Sequence, residues 1–123
     1  MDNYRKLIED SLRLAGSGER ANALAYLKRG IRTARRSSGE RWLALLYKNA
    51  GAISEQEGDL VGAKKYYKRS LAIKADRYLY FSLASVAHRL GQKRSAKLYR
   101  SLCLEAAAKA GDSDLTKMAN QLP

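Results

Sequence analysis

One spacing recurs three times in this chain of 123 residues and limits its fold more than any other feature. Gly18 is followed five residues on by Ala23, eight on by Tyr26, twelve on by Gly30 and thirteen on by Ile31. At the same steps Gly58 is followed by Ala63, Tyr66, Ser70 and Leu71, and Gly91 by Ala96, Tyr99, Cys103 and Leu104. Upstream the match is looser. Leu7, Tyr47 and Tyr80 stand eleven residues before the three glycines, and the small residues Ser11, Gly51 and Ala84 stand seven before. Self-similarity at a period of about 20 to 50 residues marks stacked repeats, each too small to bury its apolar face alone.

The repeats are helical. The single proline is Pro123, β-branched residues are scarce, and Ala, Leu, Lys, Arg and Glu are abundant, so intrinsic propensity favours helix almost throughout. Apolar residues recur every three or four positions, as in Leu24, Leu27, Ile31, Ala34 and in Leu60, Ala63, Tyr67, Leu71. Each of the three glycines therefore reads as a turn of positive φ that ends one helix, with Glu19, Asp59 or Gln92 opening the next. Gly51 against Ala63, and Ala84 against Ala96, are expected to let paired helices approach closely. Tyr47 with Tyr66, and Tyr80 with Tyr99, are expected to fill the space beside them.

Tyr47, Gly51, Gly58-Asp59, Ala63, Tyr66-Tyr67, Ser70 and Leu71 together resemble the tetratricopeptide repeat, with 44–77 the best copy and 4–37 and 77–110 degenerate ones. The closing proline of that family is replaced by Ala75 and Ala108, and Asp10 stands where an apolar residue is usual. The glycines lie 40 and 33 residues apart where a regular array has 34, and Ser37-Ser38-Gly39 reads as a longer loop taking up the excess. The resemblance implies an all-α protein, a right-handed α-solenoid of three helix hairpins in one domain over 1–123. A capping helix over about 112–122, opened by Asp112-Ser113-Asp114, makes seven helices.

Charge is the second constraint. The 24 Lys+Arg against 12 Asp+Glu give a formal net charge of +12, and 20 of the cations but six of the acids fall between Arg13 and Arg100. The cations favour the second helix of each hairpin: Lys28, Arg29, Arg32, Arg35 and Arg36, then Lys64, Lys65, Lys68 and Arg69, then Lys93, Arg94, Lys97 and Arg100. In the family these helices line the convex side. Lys28, Arg29, Arg32, Lys65, Lys68 and Arg69 are accordingly expected to form an anion-binding face that draws in an acidic partner or, alternatively, contacts nucleic-acid phosphates. The tyrosines fall at repeat-core positions, so no aromatic is expected to interleave with these cations.

First helices line the concave side in the family. By repeat position Arg5 and Glu9, then Lys48 and Asn49, then Tyr78, Phe81, Ser85, His88 and Arg89 face inward, a mixture suited to an extended or helical peptide. Some family members grip a terminal carboxylate with Lys and Asn at set positions. Here Ile8, Leu12, Tyr78 and Ser82 occupy those positions and Asn49 alone matches, so that clamp is not expected.

No P-loop, G-x-S-x-G, His-x-x-x-His or paired-carboxylate pattern occurs, so no enzyme, catalytic residue or cofactor is expected. One Cys and one His leave no metal site of the usual composition and no intrachain disulfide. Cys103 is expected to be buried, Trp42 to pack rather than anchor an interface, and His88 to face Glu55 of the preceding repeat or solvent. No membrane span and no signal sequence are evident, which points to a reduced, cytoplasmic setting. The expectation is a protein- or peptide-binding adaptor of tetratricopeptide type. Nucleic-acid binding through the basic face, or homo-oligomerisation through stacking surfaces, is the alternative.

Overall fold

A computed structural model describes residues 3–37 and 39–123; Met1, Asp2 and Ser38, part of the expected loop, lie outside the described residues. The described residues form an all-α helical repeat of seven helices: α1 (Tyr4–Gly16), α2 (Arg20–Arg36), α3 (Glu40–Gln56), α4 (Leu60–Ile73), α5 (Arg77–Arg89), α6 (Lys93–Ala110) and α7 (Ser113–Asn120). Sequential neighbours pair as hairpins α1–α2, α3–α4 and α5–α6, and α7 packs on α6. The chain divides into two compact units, Met1–Lys74 and Ala75–Pro123.

The glycine joints are equivalent. Gly18, Gly58 and Gly91 have φ of 86°, 83° and 75°. At each, the amide of the following residue donates to the carbonyl five residues back, Glu19 to Leu14, Asp59 to Ser54 and Gln92 to Ala87, at 2.8–2.9 Å. The glycine amide itself donates to the carbonyl three residues back. This pair of bonds satisfies carbonyls that a helix end otherwise leaves open, and it needs a residue that tolerates positive φ. A fourth joint of the same kind, at Gly111 (φ 65°) with Asp112 donating to Ala107, turns α6 into α7. The expected helix openers behave unequally. Asp59 accepts the Gly62 amide at 2.9 Å, whereas neither Glu19 nor Gln92 makes a side-chain cap bond. The short Asp side chain reaches the first-turn amides and the longer ones project past them.

The longer spacing between the first two joints is not a longer loop. Helix α2 ends at Arg36 and α3 begins at Glu40, the same interval as from the end of α4 at Ile73 to the start of α5 at Arg77. The excess lies in the helices instead: α2 and α3 have 17 residues each, against 14 in α4 and 13 in α5. Adding residues to a helix keeps backbone bonds satisfied, whereas a longer loop leaves them to water.

In the first unit, α3 is central, packed against both α2 and α4. Leu27, Leu46 and Ile53 are fully buried there, with Tyr4, Ile8 and Ile31 almost so. The Tyr47 and Tyr66 rings meet at 6.3 Å, as the repeat pattern implies. Gly51, however, faces Tyr67 rather than Ala63: a Cβ built on it would lie 2.7 Å from two ring carbons of Tyr67. The absent side chain makes room for that ring, whose hydroxyl donates to Glu55 Oε1 at 2.8 Å. Ser70, the small residue of the repeat, donates its hydroxyl to the Ala44 carbonyl at 2.7 Å and ties α4 to α3.

In the second unit, Cys103 and Ala107 of α6 form a buried cluster with Leu115 and Ala119 of α7, flanked by Tyr80, Phe81 and Leu104. Leu115 and Ala119 point inward while Met118 is exposed, which is the amphipathic helix the tail pattern implies.

Candidate functional site

Three surfaces contain the candidate residues: one between α1 and α3, one along α2 and α4, and one at the start of α5.

The first is a groove in the first unit. Arg5, Ile8 and Glu9 recur at helical spacing on α1, and Arg41, Trp42 and Leu45 lie across from them on α3. They enclose about 530 Å³. Its floor is apolar: Ile8 is buried, Trp42 half-buried and Leu45 39% exposed. Leu12, one turn beyond Ile8 on α1, is 48% exposed. Exposed Arg5 and Arg41, with Glu9, form a charged rim. The Trp42 ring packs against Tyr4 of α1 at a centroid distance of 6.0 Å and also borders the groove. Lys48 and Asn49 sit a turn further along the same face of α3. Asn49 donates its Nδ2 to the Leu45 carbonyl at 2.9 Å, so its amide is turned onto its own helix.

The second surface is basic. Helix α2 contains six cations and no acid, and α4 contains four and no acid. Lys28, Arg29, Arg32, Lys65, Lys68 and Arg69 are all exposed. Ion pairs join Arg13 to Asp10, Arg77 to Asp112 and Lys109 to Glu105, and none of these includes the six. Arg69 lies over the Tyr47 ring at 5.9 Å, a cation–π contact that holds its guanidinium close to α3. Burial, and then the charge of Lys68, keep the Lys64 ammonium below the usual lysine range.

One expectation fails on this surface. Tyr26 occupies the repeat-core tyrosine position of the first copy, yet it is 39% exposed. It borders a cleft of about 210 Å³ between α1 and α2, with Asn3, Leu7, Arg29 and Thr33. The cause is local. The second copy has Tyr47 to receive its tyrosine, and the first has the smaller Leu7 at that place. Gly30 lets Leu7 pack close, within 3.0 Å of where a Cβ would stand.

The third surface belongs to the second unit. Tyr78 donates its hydroxyl to Asp112 Oδ2 at 2.8 Å, and Arg77 Nε donates to the same oxygen at 3.0 Å while its guanidinium lies 5.0 Å over the Tyr78 ring. Asp112 also caps α7 by accepting the Leu115 amide at 3.0 Å. The Leu115 amide, then Tyr78 and Arg77, hold the Asp112 carboxyl below its ordinary range, and the bond to Asp112 raises the Tyr78 phenol. Phe81 is half-buried against the α6–α7 cluster. Tyr78 and Phe81, expected as groove residues, have these partners within their own unit, and Tyr78 remains 44% exposed. Ser85 is half-buried, and His88 and Arg89 are exposed near the end of α5.

Glu55, the alternative to solvent in the expectation for His88, accepts the Tyr67 hydroxyl. Cys103 is fully buried, and burial followed by the charge of Asp112 raises its thiol, which keeps it protonated. Among the described residues no three His, Cys, Asp or Glu side chains come together to hold a metal ion, and no helix is long and apolar enough to cross a membrane. No family model matches the chain, and no curated protein matches it at a significant level of similarity, so the helical repeat stands on its own joints and packing.

Proposed function

We infer that the protein is a non-enzymatic adaptor of tetratricopeptide type that holds a peptide segment of another protein in the α1–α3 groove of its first unit. The observation that supports this is the groove's composition. An apolar floor of Ile8, Trp42 and Leu45 under a rim with Arg5 and Arg41 suits a segment presenting one apolar side chain flanked by acids. Few soluble proteins leave an aromatic, an aliphatic and two arginines around a concave surface without a use. The net charge of +12 speeds the approach of an acidic segment. This groove lies within the first unit and is lined by α1 and α3.

Trp42 is the single tryptophan, so its emission reports directly on the groove. Acidic peptides with one aromatic or leucine anchor are expected to shift that emission on titration. Leu45→Glu should weaken the best of them at least tenfold, and Lys68→Gln with Arg69→Gln should leave affinity within about twofold at physiological salt. Binding that ignores Leu45→Glu would sink the reading.

A further inference from the structure

We propose that the solvent face of α2 binds single-stranded nucleic acid, with phosphates along its cations and one base stacked on Tyr26. Lys28, Arg29, Arg32, Arg35 and Arg36 are exposed on this helix, and none has a carboxylate partner among the described residues. Lys28, Arg32 and Arg36 follow one another at steps of one helical turn, about 6 Å of rise, which presents charge to a strand at regular intervals. Four of the five are arginines, whose planar fork matches phosphate oxygens better than a lysine does.

Charge alone would suit any polyanion; Tyr26 narrows the choice. Its exposed ring stands three residues before Arg29, one turn away, and both border the same cleft. The cleft offers apolar carbon from Leu7, while Asn3 Oδ1 and the Thr33 hydroxyl are bonded to the backbone of α1 and α2, a lining that suits the face of a flat heterocycle better than a carboxylate. An aromatic platform beside a basic track is the arrangement by which single strands are held without strong sequence preference. An acidic peptide would use the track and leave the ring idle. A base-paired duplex would offer the ring no unstacked base.

The test is fluorescence anisotropy of a labelled 20-nucleotide oligouridine with the full chain, over a range of salt concentrations. Affinity should fall with salt at a log–log slope of about −0.7 for each phosphate engaged. Replacing Lys28, Arg29 and Arg32 together by Gln should flatten that slope by about 2. Tyr26→Ala should weaken binding by about 5- to 150-fold, and Tyr26→Phe, which keeps the ring, should retain it. Lys65→Gln, Lys68→Gln and Arg69→Gln together on α4 serve as a control of equal charge loss and should cost less than the α2 change. Circular dichroism of each variant confirms that the helices are intact. Unchanged affinity in Tyr26→Ala would overturn the proposal, as would equal binding of a duplex of the same length. Preference for a labelled polyglutamate would overturn it too and assign the face to an acidic protein. Leu45→Glu should not affect oligouridine binding, so failure here and failure of the peptide groove are separable.

Discussion

Repeats two and three, one in each unit, follow the same plan at the joint and part company just beyond it. Nine residues after the glycine, the first unit places Tyr67 and the second places Arg100. Seven residues before it stand Gly51 and Ala84. The pair Gly51–Tyr67 is a ring filling the space of a missing side chain, with the Tyr67 hydroxyl on Glu55. In the second unit Ala84 fills its own position, and the Arg100 Nε is buried without a hydrogen bond. The same register separates the surfaces. Lys28 and Arg29 of the first repeat correspond to Lys68 and Arg69 of the second, but to Ser101 and Leu102 of the third. Arg32 corresponds to Glu105, which is paired with Lys109 at 3.4 Å. A glycine joint thus sets how two helices meet, and leaves open what they are stapled with and what they show to solvent.

This contrast can be broken by substitution, beginning where the effect is largest. Tyr67→Ala should cost about 3–5 kcal/mol in urea unfolding, since it empties a well-filled space beside Gly51. Its counterpart Arg100→Ala should cost less than about 1 kcal/mol. A similar cost at both positions would show that the units do not differ in the way described. Gly51→Ala comes next, at about 1–3 kcal/mol: the new methyl meets a ring that must move, and this outweighs the gain in helix propensity. Gly30→Ala is the matched control. There the near atoms are the flexible end of Leu7, so stability should change by less than about 1 kcal/mol. Tyr67→Phe keeps the ring and loses the hydroxyl's bond to Glu55, about 0.5–1.5 kcal/mol by the same unfolding measurement.

The subtlest effect lies in the second unit and depends on pH. Because the folded Asp112 carboxyl titrates below its unfolded value near 3.9, its contribution is complete above that pH and is lost as pH falls through the folded value. Amide exchange of α7 should therefore accelerate on acidification in the native chain. In Asp112→Asn it should be faster at neutral pH and lose most of its acid dependence. An α7 equally protected in both proteins at pH 7 would remove Asp112 from the role assigned to it.

Much of the fold was legible before any coordinates. Glycine is the residue that accepts positive φ without penalty, so Gly18, Gly58 and Gly91 announced their joints, and helix propensity supplied what lies between them. Arg5 and Glu9 share one face of α1, as helical periodicity places i and i+4, and both border the α1–α3 groove. The fourth joint at Gly111 lay open to the same reasoning and was hidden only by the absence of a repeat after it. Other features were not legible. That Gly51 opposes Tyr67, that Tyr26 stands exposed, and that Tyr78 is tied to Asp112 all depend on contacts between helices.

Sequence by itself determined the element types, their order and the equivalence of the joints, because these follow from backbone preferences that act within a few residues of each position. Tertiary structure alone decided which face of each helix is filled, which tyrosine is left open and which carboxylate receives which donor. Those outcomes depend on the size of side chains distant in sequence, Leu7 or Tyr47 beside the repeat tyrosine. A local pattern holds no record of what will be packed against it.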